Sequence, residues 1–215
     1  MSPRPRKVSD EDVLEATTRV MGKRGPSQLT LSEIGAEAGV TAGALVQRFG
    51  SKRGLLLALS SRLAEATPLL FEELGRAYDS PLEALRAYAD CVAAMGESPG
   101  TVAHHLAYLQ LDLTDPELYR HAREMAKTSR EGIRKLLEAA VAAGELTPSA
   151  DGRALARAIQ VTLSGSLLTW AFFREGTAGA YLRFDLEWLL KPYMGRSRKI
   201  RKGSRGYSRS GGAGR

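Results

Sequence analysis

An all-α fold of about nine helices is expected from three observations. Helix-start signals recur along the whole chain. Apolar residues recur at three- and four-residue spacings, with no sustained period-2 alternation. No Asn-Gly or Asp-Gly turn joins β-branched runs as a hairpin would require.

Ser9 precedes Asp10, Glu11 and Asp12, a hydroxyl cap followed by acids that suit the positive end of a helix. Val13, Ala16, Thr17 and Val20 then form one face of a first helix, with Thr17 its only polar member. Thr30 with Glu33 fits a capping box for a short second helix bearing Leu31, Ile34 and Ala38. Leu45 and Phe49 anchor a short third, and a fourth runs from about Ser51 through Leu55, Leu59 and Leu63. Ser80-Pro81 with Glu83 fits another capping box, with Pro81 at the first helical position, where a missing N–H costs nothing. Leu82, Leu85, Ala89, Val92 and Met95 line this fifth helix, and Val102, Leu106 and Leu109 a sixth. Asp115-Pro116-Glu117 opens a long seventh, with Leu118, Ala122, Met125, Ser129, Ile133, Leu136 and Ala140 on one side. The eighth carries Leu155, Ile159, Leu163, Leu167, Trp170 and Phe173; the ninth carries Tyr181, Leu182, Leu186, Leu189 and Leu190. Gly144 and Gly176 stand where left-handed C-terminal caps are wanted. There is no repeat at a fixed period.

Composition narrows the function classes. The 215 residues are 43% hydrophobic and 26% charged, an ordinary soluble mixture. No apolar run approaches the roughly 20 residues needed to span a bilayer, so no membrane partner is expected. Residues 1–7 lead into Ser9-Asp10-Glu11-Asp12 rather than an apolar signal core, and the expected location is cytoplasmic. A single cysteine, Cys91, excludes an internal disulfide framework. The net charge of +7 is uneven: residues 1–55 carry +3, residues 56–194 carry −4 and residues 195–215 carry +8. That distribution suggests nucleic acid as a partner of the two ends only.

Residues 30–49, TLSEIGAEAGVTAGALVQRF, read as a helix-turn-helix. Two short helices meet at a turn containing Gly39 and Val40, the second capped by Thr41. Ile34, Ala38, Val40, Leu45 and Phe49 form the inward face, and Gly35 and Ala44 are small enough to let the helices approach. Gly35 inside a helix costs about 1 kcal/mol relative to alanine, so close packing is a reason for it. Ala42, Gly43, Val46, Gln47 and Arg48 are left on the outer side of the second helix, where a recognition helix meets the major groove.

The whole of residues 8–60 resembles the TetR family of bacterial transcriptional regulators. The run Gly43-Ala44-Leu45-Val46-Gln47-Arg48-Phe49, then Gly50-Ser51-Lys52 and Leu55-Leu56, follows the family's Gly-x-Leu-Tyr-x-His-Phe, Ser-Lys and leucine-rich pattern. Val46 replaces the usual tyrosine, which often contacts a DNA phosphate, and Arg48 replaces the usual histidine. Val46 is suited to a thymine methyl, and Arg48 brings a permanent charge to the DNA face. The resemblance implies that Lys52 is a phosphate clamp, that Thr30, Ser32 and Thr41 neighbour phosphates or bases, and that Gln47 reads a base edge. It also implies a homodimer, double-stranded DNA as partner and a small-molecule effector.

The remainder carries no catalytic elbow, phosphate-cradling glycine loop or His-Glu-x-x-His, so no enzyme activity, metal or cofactor is expected. His104 and His105 are adjacent, about 100° apart on a helix, and cannot chelate one metal as an i, i+4 pair could. Tyr88, Cys91, Met95, His104, Tyr108, Met125, Thr162, Ser166 and Trp170 bring polar tips and soft side chains to apolar helices, a mixture that suits an effector pocket. Singly, each reads as core packing at least as readily. The last two helices have more apolar surface than one core stripe requires. Gly165, Trp170, Leu182, Leu186 and Trp188 are the expected dimer residues; cover by the seventh helix is the alternative.

The expected organisation is therefore a DNA-binding domain at 1–55, an effector-binding and dimerisation domain at 56–194, and a disordered basic tail at 195–215. That tail is either a solubilising end or an electrostatic arm; extended, its 21 residues reach about 70 Å. The functional reading is a repressor released from a pseudo-palindromic operator by an apolar or aromatic effector. The alternatives are a DNA-binding protein without an effector, and an α-helical enzyme or carrier.

Overall fold

Every α-helix among the described residues starts on a hydroxyl or carboxylate that accepts from one or two of its first N–H groups. The computed structural model describes residues 8–195; the expected basic tail lies outside the described residues, apart from Gly195. The order is α1 Asp10–Gln28, α2 Leu31–Ala38, α3 Ala42–Phe49, α4 Lys52–Ala77, α5 Pro81–Ala93, α6 Pro99–Thr114, α7 Pro116–Ala142, α8 Gly152–Phe173 and α9 Ala178–Leu190, then a 3-10 turn at Lys191–Tyr193. The nine caps are Ser9, Thr30, Thr41, Ser51, Ser80, Ser98, Asp115, Asp151 and Thr177. Only Ser9 with Asp12 forms a reciprocal capping box. At Thr30 and Ser80 the hydroxyl accepts from the backbone as expected, but Glu33 bonds the Thr30 hydroxyl itself and Glu83 turns to Arg86. Gly144 takes a left-handed conformation as expected, whereas α8 ends on Arg174 (φ 58°); Gly176 is left-handed two residues later, in the loop.

Two apolar cores follow one another along the chain. The front core gathers Val13, Leu14, Val20, Leu29, Ile34, Leu45, Leu55, Leu56 and Leu59, joined by Tyr108 and Leu118 from α6 and α7. Thr17 is fully buried within this unit because its hydroxyl donates to the Val13 carbonyl (2.8 Å). The rear core includes Phe71, Leu74, Leu85, Ile133, Leu137, Ile159, Leu163, Leu182 and Leu186. The division expected between residues 55 and 56 falls inside α4, which runs unbroken from one core into the other. That dual service makes α4 apolar over much of its length. By length and composition alone it is apolar enough to cross a bilayer, although Arg62, Glu65, Glu72 and Glu73 interrupt it, so that no apolar run approaches 20 residues.

Five apolar residues expected on packed faces are exposed. Leu63 falls between the two core segments of α4, and Met95 lies beyond the end of α5. On α6, Val102 and Tyr108 turn inward, which leaves Leu106 and Leu109 outside. Phe173 is the last residue of α8 and stands out beside the loop.

The joint between the units is made by α1 and α6. His104 Nδ1 lies 2.8 Å from the Gly22 carbonyl oxygen, and its ring covers Gly25. Gly25 (φ 69°) breaks α1 just before Pro26; a Cβ there would lie 2.8 Å from the imidazole, so both backbone and space demand glycine. Further back, Gly132 lets the Phe71 ring rest on α7, and a Cβ would come within 2.3 Å of it. Gly132→Ala gains up to about 1 kcal/mol of helix propensity but overpacks by about 1–3 kcal/mol. The expected net effect is a loss of about 1–2 kcal/mol, seen as a lower urea midpoint at unchanged slope; an unchanged or raised midpoint would show that the ring yields.

Candidate functional site

The close approach of α2 and α3 is set by one glycine. A Cβ on Gly35 would lie 2.6 Å from the Val40 carbonyl oxygen, a backbone atom that cannot swing aside. The Gly35 carbonyl accepts from Val40 N (2.8 Å), and Gly39 at φ 74° turns the chain between them. Thr41 then caps α3 through Ala44 N (3.1 Å), and buried Ile34 and Leu45 pin the two helices to the front core. The outward face of α3 carries Gly43, Val46 and Gln47, all exposed, with Thr41 at its start and Ala42 half-buried beside it. Thr30 and Ser32 are exposed at the start of α2. The helix-turn-helix geometry read from residues 30–49 is therefore present, with Thr30 and Thr41 committed to capping.

The cations behave less simply. Residues 8–55 hold six Lys/Arg and six Asp/Glu, so the described front is electroneutral and its expected +3 comes from Arg4, Arg6 and Lys7. Each of the six cations has a protein partner. Arg19 and Lys23 reach Glu37, and Arg24 reaches Glu33. Arg48 is paired with Asp10 and lies over the Phe49 ring, 5.7 Å from its centroid. Lys52 points inward, its ammonium donating to the carbonyls of Leu29 (3.1 Å) and Pro26 (3.3 Å), which ties the α1–α2 connection to the start of α4. Arg53 binds Asp115 (2.7 and 3.0 Å) and Glu117 (2.6 Å), bridging the start of α4 to the start of α7. Sequence reasoning misses Asp10 and Arg53 because their partners are 38 and 62 or more residues away.

The expected effector residues do not converge on one cavity. His104 and Tyr108 face the front unit: the first bonds the Gly22 carbonyl, and the second is buried with its hydroxyl unpartnered among the described residues. Burial pushes the Tyr108 phenol well above its ordinary pKa. Tyr88 lies against Phe71, ring centroids 4.7 Å apart, with Ser129 beside its hydroxyl. Met125 and Thr162 are half-buried, while Cys91 and Met95 are exposed. Ser166 is buried and donates to Asp185. Trp170 is buried, its Nε1 donating to the Gly176 carbonyl (3.2 Å), and it lines an open cleft of about 470 Å³ with Asp90, Gly96, Glu97 and the residues that start α9. No group of three or more His, Cys, Asp or Glu suited to a metal occurs among the described residues.

The expected dimer residues also divide. Leu182 and Leu186 are fully buried inside the chain and Trp170 nearly so. They belong to the rear core, which corrects their expected role as surface anchors. The exposed apolar side chains are Val161, Leu168 and Phe172 on α8, beside the open Gly165, with Phe173 at its end, and Phe184 and Trp188 on α9. Phe184 and Trp188 stack at 6.5 Å, and Lys191 lies 5.0 Å from the Trp188 ring centre.

The chain therefore joins a front helix-turn-helix unit, through one continuous helix, to an all-helical rear unit. Residues 13–59 match the family model of bacterial regulatory proteins, tetR family. The HTH-type transcriptional regulator TtgR of Pseudomonas putida is 28% identical over 169 residues, 74% of this chain and 78% of that protein. A TetR transcription regulator from Haloarcula marismortui superimposes with a TM-score of 0.70 at 17% identity, covering 86% of this chain and 97% of that one. The regulator FadR of Bacillus subtilis, solved in complex with stearoyl-CoA, gives 0.64 at 20% identity over 85% and 98%. The family likeness in sequence thus lies in residues 13–59, and the chain as a whole shares the fold of TetR-type regulators.

The Arg53 bridge has a pH signature. The Arg53 guanidinium, helped by the N–H groups of Leu118 and Glu117, holds the Asp115 carboxyl at about 2, below its ordinary 3.8. A depressed carboxyl stabilises the fold above its unfolded value, and that stabilisation drains away as pH falls through the folded one. Asp115→Asn is therefore expected to flatten the decline in urea midpoint between about pH 3.8 and pH 2. An identical acid limb in variant and wild type would show that the pair contributes nothing.

Proposed function

We propose that the chain is a homodimeric, ligand-responsive repressor that α3 places on a pseudo-palindromic operator, and that an apolar or aromatic effector binding the rear unit releases it. The observation that carries this reading is the α1–α6 joint. Because His104 and Tyr108 of α6 are built into the packing of the front unit, a ligand that displaces α6 must reorient the recognition helices as well. The exposed apolar side chains of α8 and α9, with Phe184 stacked on Trp188, support the dimer, since large exposed apolar surface marks association sites. The long acyl chain on the FadR structure's ligand supports an apolar effector class. In this reading Gln47 and Val46 meet base edges and Thr30, Ser32, Thr41 and Arg48 lie near phosphates, while Lys52, turned inward instead of clamping a phosphate, braces the start of α4; there is no catalytic step, and the site of action is cytoplasmic.

An effector shifts the equilibrium only through its unequal affinity for the DNA-competent and DNA-incompetent dimers. By linkage, operator DNA must weaken effector binding by the same factor that the effector weakens operator binding. The test is a footprint on the DNA flanking the coding region, followed by titration with aromatic and acyl ligands, read by tryptophan fluorescence. A symmetric footprint lost on ligand binding, with matching coupling factors, is expected. A tightly bound ligand that left operator affinity unchanged would contradict the repressor mechanism.

A further inference from the structure

We infer that Asp10 is a positioning residue that acts as an internal stand-in for a DNA phosphate, holding Arg48 against the protein until a well-fitted DNA site displaces it. The inference rests on α3 being the DNA-reading helix and goes beyond it, because it assigns a role to a residue on α1. Arg48 is the only Lys/Arg on α3. Its Nε donates to Asp10 Oδ1 at 2.7 Å, a second guanidinium nitrogen reaches the same carboxylate oxygen, and the guanidinium lies over the Phe49 ring. In that pose the α3 cation faces the first turn of α1 rather than the exposed edge occupied by Gly43, Val46 and Gln47.

A carboxylate and a phosphate both offer a guanidinium an anionic oxygen acceptor, so one can replace the other without remodelling the backbone. The pair is weak enough to open, because the Asp10 side chain is 69% exposed and solvated pairs contribute little. It still matters on a described front whose net charge is zero, where each cation engaged internally is one fewer for the phosphate backbone. Neighbouring Glu11 is committed elsewhere, to Arg62 on α4, and so serves as a control at the same helix end. The functional consequence is discrimination. A held Arg48 lowers affinity for arbitrary duplex, and only a well-fitted site recruits it.

The test is binding of a labelled random-sequence duplex across a salt series by the full chain, its Asp10→Asn, Glu11→Gln and Arg48→Gln forms, and the Asp10→Asn/Arg48→Gln double variant. Asp10→Asn is expected to raise random-duplex affinity severalfold and steepen the log K against log salt slope by about 0.9 per subunit, the signature of one more phosphate contact. In the Arg48→Gln background both effects should vanish, and Glu11→Gln should not reproduce the slope change. Equal gains with and without Arg48 would show a general charge effect and overturn the inference while leaving DNA binding intact. No gain from Asp10→Asn would overturn it as well. A wild-type chain that bound no duplex even at low salt would instead remove the DNA-binding reading and this inference together.

Discussion

The constraint on which the rest depends is that α4 is one helix serving two cores. Leu55, Leu56 and Leu59 are fixed in the front unit, while Phe71 and Leu74 are fixed in the rear. Burying a leucine contributes about 1.5–3 kcal/mol, whereas an exposed ion pair contributes about 0–1 kcal/mol. Apolar packing therefore sets the orientation of the front unit, and pairs such as Arg53 with Asp115 trim it. Pro68 stands between the two segments, where its missing N–H leaves the Ala64 carbonyl without its helical donor; Thr67 meanwhile bonds the Leu63 carbonyl (2.8 Å). The packing of α6 across α1 is a second connection between the two units.

The same scaffold explains an unusual electrostatic economy. A DNA-binding surface ordinarily reads as an excess of cations, yet the described front has none in excess, and its lysines and arginines are all engaged internally. Two of these engagements serve architecture: Lys52 clamps the carbonyls before α2, and Arg53 ties α4 to α7. The excess basic charge of the sequence lies on either side of residues 8–195.

Local signals are legible in the sequence and long-range pairings are not. Caps at Ser9, Thr30, Thr41, Ser80 and Asp115 can be read because each lies within three residues of the N–H it satisfies. Those at Ser98, Asp151 and Thr177 carry the same local signal, although the sequence reading passes over them. Gly35 is legible as a close approach, since a glycine in a short helix needs a packing reason. The direction in which Lys52 points is not legible, because its carbonyl partners lie 23 and 26 residues back. Periodicity places Leu182 and Leu186 on an apolar face but cannot tell a face buried by α5 and α8 from one left for a second chain. For α6 the same ambiguity reverses the faces, because the joint with α1 is made by a histidine and a tyrosine rather than by the leucines.

The central claim is that α3 reads base pairs in a two-fold site. Its most direct test is binding-site selection from a random duplex library by the wild-type chain and by Gln47→Ala. Wild type is expected to enrich a pseudo-palindrome whose half-sites lie about one helical turn or more apart. Gln47→Ala is expected to lose preference at one position in each half-site, by about 1–3 kcal/mol, with the other positions retained. Enrichment of no common sequence, or of the same sequence with undiminished preference at every position, would contradict it.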